Sequence, residues 1–456
     1  MFIATNPTTG EPLHAHPLHT EAEVDAMVNA SLAAFRQWRK TGFAERAALL
    51  TAVAQRMRDD EERLARLMTV EMGKPIVEAR AEVQKAASCA LHYAAHAEAY
   101  LAAQTLPSDA SHSYVQHLPL GAILGVLPWN APFWLAFRYC APALMAGNTC
   151  LMKHDPHVPA CAEAIAELFI AAGAPPGLLQ NLRLDNGQVA QLIDNDAVQA
   201  VSLTGSSAAG SAVASLAAAA IKPAVLELGG SDPCLVLADA DLDAAAQVLA
   251  VSRIINAGQS CIAAKRIIVE APVYERFVDK FRQRLATLQM GDPAEETTQV
   301  GPIARSDLRD NLHRQVSMTI AEGADCLLGG ELPDGPGYFY PVTLLTGVSP
   351  GMTAYCEETF GPVAVVIKAD SVEHAMTMAN DTPYGLAASI WSADTARAVA
   401  MSADIEAGQV AINGIVKTDP RLPSGGVKRS GYGRELGPHG ILGFVNVQQV
   451  WVGPAQ

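Results

Sequence analysis

Ala200-Val201-Ser202-Leu203-Thr204 runs directly into Gly205-Ser206-Ser207-Ala208-Ala209-Gly210. The first five residues read as a strand, and the small residues from Ala208 onward read as a helix to residue 220. A strand feeding a helix through a Gly-rich turn exposes free N–H groups and a positive dipole end, which suits phosphate. The spacing of Gly205 and Gly210 is not the usual dinucleotide fingerprint, and on spacing alone a plain tight turn is the simpler explanation. The same rhythm extends outward. Strands are expected at 121–127, 149–153 and 179–182, with helices at 160–172 and around 189–193. That alternation predicts a parallel sheet with helices on both faces.

A second alternating block follows Gly230. Strands are expected at 233–237, 265–270, 363–368 and 387–391, with helices at 244–255 and 273–288. The N-terminal segment reads as helical. Thr20-Glu21-Ala22-Glu23 is a capping box, a helix with a break spans 43–72, and Gly73-Lys74-Pro75 stops it before another helix over 76–100. His92 and His96 lie one turn apart on that helix, but a metal site needs a third ligand that the sequence does not offer. Residues 113–118 read as an exposed strand. A late alternating strand, Val445 to Val452, must pair with some partner strand.

The chain has 456 residues, half of them hydrophobic, and a formal net charge of −15. The length suits about two to four domains. An acidic surface argues against nucleic acid and anionic membrane as partners. The N-terminus shows no signal core, and no apolar span long enough to cross a bilayer is evident. The eight cysteines include no Cys-x-x-Cys pair, which argues against a zinc site or disulfide scaffold and suits a reducing cytoplasm.

Chemistry concentrates in Asn256-Ala257-Gly258-Gln259-Ser260-Cys261. An apolar helix leads into a turn where Gly258 permits unusual backbone angles, leaving Cys261 on a loop. Taken alone, a buried structural cysteine explains it better. Three further segments change that balance: Pro128-Trp129-Asn130, Glu227-Leu228-Gly229-Gly230 and Glu357-Glu358-Thr359-Phe360-Gly361-Pro362.

In this order and spacing, the four motifs resemble the NAD(P)-dependent aldehyde dehydrogenase superfamily, from the N-terminal helices to Trp451. The resemblance implies an α/β fold with a Rossmann-type cofactor domain (1–100 and 120–229), an α/β catalytic domain (230–424) and a small β oligomerisation module (101–119 and 437–456). It implies a homodimer or homotetramer. Cys261 is the expected nucleophile and Glu227 the base that hydrolyses the thioester. Asn130 and the Cys261 N–H are the expected oxyanion donors. NAD or NADP is expected against Trp129, Lys153, Thr204, Gly205, Ser206, Gly229, Glu358 and Phe360. Many NAD-preferring members carry Glu three residues after the lysine, where this chain has Pro156; Asp155 stands one residue earlier.

Arg138, eight residues after Asn130, matches an arginine that pairs with the distal carboxylate of succinate semialdehyde; its alternative is a solvated helix surface. A second arginine used by some members falls at Ile255 here, with Arg253 two residues earlier. Ser424 and the loop 415–423 are further candidates for substrate contact. The ending Gly425 to Glu435 looks most like the bacterial succinate-semialdehyde branch. Two rivals stand beside that reading: an aldehyde dehydrogenase of broad specificity, and a structural or binding protein that keeps the fold without activity.

Overall fold

The computed structural model describes residues 1–453. A six-stranded sheet runs in the order Gly431–Tyr432, Ala224–Glu227, Val198–Thr204, Ala122–Leu127, Thr149–His154, Leu179–Asn181. All neighbours are parallel except the short edge strand Gly431–Tyr432. Its central strands are almost continuously buried, as expected when helices cover both faces. The chain enters at Ala122–Leu127, builds outward to Leu179–Asn181, then crosses to Val198–Thr204 on the other side. That reversal makes a switch point, and crevices at the carboxyl ends beside such points bind ligands. Leu127, His154, Thr204 and Glu227 all end strands on this edge.

A seven-stranded sheet follows, in the order Asp325–Leu328, Thr343–Thr346, Val363–Ala369, Arg266–Glu270, Pro233–Val236, Ala387–Trp391, Gln409–Ile412. Only Asp325–Leu328 is antiparallel. The segments entering its strands matter most: Gly229–Asp232 precedes Pro233, Cys261–Lys265 precedes Arg266, and Glu357–Pro362 precedes Val363. Hydrogen bonds join this amino-terminal edge to the carboxyl edge of the first sheet. Asn130 Nδ2 donates to Gln259 O at 3.1 Å and Asn256 Nδ2 donates to Asn130 O at 2.9 Å.

The capping box at Thr20 closes as anticipated, with Glu23 reaching back to the Thr20 N–H. The break in the second helix falls at Asp60, between Phe43–Asp59 and Glu61–Met72. Gly73 then takes φ 74°, where a side chain would meet Pro302. The helix Ile76–Tyr100 packs on Phe43–Asp59 and on Pro132–Met145, whose 14 residues are all buried. A three-stranded sheet pairs Val445–Val452 with His112–Pro119, and that strand with Gln104–Thr105. The His92 and His96 rings pack 4.7 Å apart, and His92 Nε2 lies 3.1 Å from the Tyr100 hydroxyl. Among the described residues no cluster of three or more ligating groups joins them, and no helix is long and apolar enough to cross a membrane.

Candidate functional site

After the helix Leu242–Ile254, three consecutive residues take left-handed angles: Asn256 at φ 55°, Ala257 at 52° and Gly258 at 75°. The two non-glycines cost about 1–3 kcal/mol each. Surrounding hydrogen bonds offset that strain. Glu78 Oε2 accepts from Asn256 N at 2.7 Å, and Asn256 Nδ2 donates to Asn130 O at 2.9 Å. Gln259 N and Nε2 both donate to Asn256 O at 3.0 Å. A Cβ on Gly258 would lie 2.2 Å from Gly361 O, so only glycine lets the Phe360-Gly361 loop approach. Arg253 Nη2 donates to Gly258 O at 2.7 Å, and its Nη1 to Ala264 O at 3.2 Å. Arg253 is fully buried. It therefore ties down loop carbonyls and is no second substrate arginine.

Cys261 is half-buried. Burial pushes its thiol up to about 11; Lys265 and Arg138 pull it down, while Glu227 and Glu358 push it up. Lys265 is buried beneath the loop. Its Nζ donates to Cys261 O at 2.6 Å and Ser260 O at 3.0 Å, and stands 3.2 Å from Glu358 Oε1.

Asn130 is held from behind. Its carbonyl accepts from Lys74 Nζ at 2.9 Å. Lys74 is ion-paired with Glu82, both buried. Glu82 Oε1 accepts from Phe133 N and Trp134 N, the free donors that open the helix Pro132–Met145. Sequence reasoning passed over Lys74, Glu78 and Glu82. A signal was present: two carboxylates four apart on an apolar helix face, after a lysine between glycine and proline, is no pattern for a solvated surface.

Glu227 ends its strand buried, with one partner cation. Arg138 Nη2 lies 3.2 Å from Glu227 Oε2, 3.4 Å from Ser424 Oγ and 2.5 Å from Glu435 Oε2. The last contact is an ion pair without hydrogen-bond alignment, for Glu435 Oε2 makes no hydrogen bond. Burial raises the Glu227 pKa; Arg138 opposes that and Glu435 adds to it. Arg138 is thus neither a solvated surface residue nor a free clamp. Two internal carboxylates already engage it, though its Nε finds no acceptor. Glu435 lies in the Gly-rich ending between Arg434 and Leu436, where the local sequence gives no sign of a buried carboxylate.

On the other side of the loop lie the expected cofactor residues. Ser206 caps the helix Ser207–Ala219. A Cβ on Gly205 would meet nothing closer than 3.8 Å, so the protein leaves the space over the turn open. Gly210 differs: its Cβ would strike Leu228, so it serves helix–sheet packing. The Thr204 hydroxyl is buried without a partner. Lys153 is buried at a strand end, and burial lowers its pKa. Asp155 is turned onto His157, with Oδ1 2.8 Å from Nδ1. Glu358 Oε1 accepts from Gly230 N at 3.1 Å, and a Cβ on Gly229 would collide with Glu358 Oε2. Trp129 and Phe360 meet edge to face at 5.9 Å.

A loop-borne thiol within electrostatic range of two cations and of a buried carboxylate of raised pKa is equipment for nucleophilic catalysis with base-assisted hydrolysis. Comparison with known proteins agrees. Residues 2–450 match the Aldehyde dehydrogenase family. The probable succinate-semialdehyde dehydrogenase [NADP(+)] of Synechocystis sp. is 48% identical over 99% of this chain and 100% of its own length. The succinate semialdehyde dehydrogenase [NAD(P)+] of Escherichia coli K12 is 45% identical over 98% of this chain and 97% of its own. The solved structure of succinic semialdehyde dehydrogenase from Streptococcus pyogenes, in complex with NADP+, superposes with a TM-score of 0.97 at 36% identity, covering 99% of this chain and 100% of that one. With the strand order, the cysteine loop and the buried glutamate already placed, these matches show that the chain belongs to the aldehyde dehydrogenase family.

Proposed function

We propose that the protein oxidises succinate semialdehyde to succinate with NAD or NADP as acceptor. The observation that carries the reading is Cys261 at the end of a strained loop that Asn130 holds, with the Glu227–Arg138 pair near enough to act on its charge. The Cys261 thiolate adds to the aldehyde carbon. Asn130 Nδ2, whose second N–H is not used by Gln259, and the Cys261 N–H stabilise the resulting oxyanion. When bound, NAD(P)+ supplies the hydride acceptor. A thioester then remains on Cys261. Glu227 takes a proton from water, which attacks the thioester carbonyl and releases the acid and the thiolate.

The residues present suit the dinucleotide. Thr204, Gly205 and Ser206 offer an open turn, an unpaired hydroxyl and a helix start for the pyrophosphate. Lys153 is a buried cation for the adenosine side. Glu358, Phe360, Trp129 and Gly229 form the nicotinamide side. The relatives named for NADP+ or NAD(P)+ support acceptance of both. In this reading residues 1–100 and 120–229 are the cofactor domain and 230–424 the catalytic domain. The strands in 101–119 and 437–456 join subunits of a homodimer or homotetramer in the cytoplasm.

One reading takes Arg138, with Ser424 beside it, as the group that meets the distal carboxylate. A second reading of Arg138 is favoured by its two internal ion pairs: the guanidinium tunes Glu227 and leaves recognition to another group. Kinetics of Arg138→Met with succinate semialdehyde and butanal separate the two. Loss confined to succinate semialdehyde supports the clamp, and equal loss with both supports the internal role. If the unaltered protein turns over butanal as well as succinate semialdehyde, the substrate assignment fails.

A further inference from the structure

Glu78, Glu82, Lys85 and Cys89 are spaced by four, three and four residues along the helix Ile76–Tyr100, so they share one face. Three of them have clear partners. Glu78 holds Asn256, Glu82 caps the helix Pro132–Met145, and Cys89 Sγ donates to Phe137 O at 3.6 Å. Lys85 differs. Its Nζ lies 4.1 Å from the centroid of the Trp134 ring and donates to Thr418 Oγ1 at 2.7 Å. Among the described residues no carboxylate stands within 4.0 Å of it. Trp134 and Thr418 are buried, while Lys85 keeps partial exposure. A cation over an aromatic face, with one hydroxyl and no anion, is incompletely satisfied.

The surroundings say what is missing. Arg138 and Lys74 repel Lys85, whereas Glu82 and the Cys89 sulfur attract it. Burial, with Arg138 second, brings its pKa down to about 8. Lys85 lies against Trp134 of the helix Pro132–Met145, which also carries Arg138, and the two cations feel each other's charge. Glu227 and Glu435 neutralise Arg138, and nothing comparable neutralises Lys85. Thr418 accepts from Lys85, so its own O–H remains free to donate.

We propose that Lys85, with the Thr418 hydroxyl, is the pair that binds the distal carboxylate and selects aldehydes carrying one. The proposal rests on the succinate-semialdehyde reading. The anion completes the charge balance of the ammonium, and Trp134 walls the short aliphatic spacer. Thr418 lies within the loop 415–423, which gives that loop a defined role in recognition.

The test is steady-state kinetics of the full-length protein with NADP+, taking the ratio of kcat/KM for succinate semialdehyde to that for butanal. In Lys85→Met the ratio is expected to fall about 30-fold, the loss of one charge-assisted contact, mainly through KM for the semialdehyde. Lys85→Arg restores most of it, and Lys85→Gln is the neutral alternative if the methionine variant does not fold. In the unaltered protein the semialdehyde KM rises above about pH 8, and that rise is absent in the neutral variant. A folded neutral variant with an unchanged ratio overturns the proposal. No preference in the unaltered protein overturns the substrate reading instead.

Discussion

Glu227 shares its buried site with one cation and a second carboxylate, so its protonation sets the pH range of the hydrolytic step. Burial raises its pKa and Arg138 counteracts the rise. Only the carboxylate accepts a proton from water, so hydrolysis strengthens as pH climbs through that raised value. Arg138→Met removes the counteracting charge. The acid limb of the kcat–pH profile should then move up by about one unit. Steady-state rates from pH 5 to 10 check this, and an unmoved limb removes Arg138 from the hydrolytic step. The thiol responds to Lys265 by the same physics. Lys265→Met should raise the pH at which iodoacetamide alkylates Cys261, and Glu358→Gln should lower it, because the two charges act on the sulfur in opposite directions. Alkylation followed by peptide mass spectrometry reads Cys261 apart from exposed Cys356.

The helix Ile76–Tyr100 supports the nucleophile loop and the oxyanion donor together. Lys74→Met leaves Glu82 buried without its cation, which costs about 3–5 kcal/mol. Urea unfolding should show that loss, and kcat should fall as Asn130 O loses one of its two donors. Lys74→Met combined with Glu82→Gln should recover part of the stability, because the amide oxygen can still cap Phe133 and Trp134. Elements with strong periodicity were legible in the sequence: the capping box at Thr20, a break somewhere within 43–72, the helix Ile76–Tyr100 and the strand and helix flanking Gly205. The strands Asp325–Leu328, Thr343–Thr346 and Gln409–Ile412 were not anticipated. Each has only four residues, too few to show a period, and sheet pairing with distant segments decides them. Buried ion pairs were illegible for a related reason. Arg138 reads as a polar helix position until Glu435, almost 300 residues later in the chain, is brought to it.

Val445–Val452 forms one edge of the three-stranded sheet and exposes Val447, Trp451 and Val452. An apolar open edge invites another strand. A chain ending at Phe444 should therefore run at lower mass in light scattering than the full chain, and an unchanged mass would place subunit contacts elsewhere. The two large sheets meet edge to edge around Cys261, so catalysis depends on both being formed. The most direct measurement mixes Glu227→Gln with succinate semialdehyde and NADP+, following NADPH absorbance and then the mass of the Cys261 peptide. A single-turnover burst of NADPH, a stall, and a succinyl group on Cys261 are the expected result. Sustained turnover without modification of Cys261, or the same activity in Cys261→Ala, would contradict it.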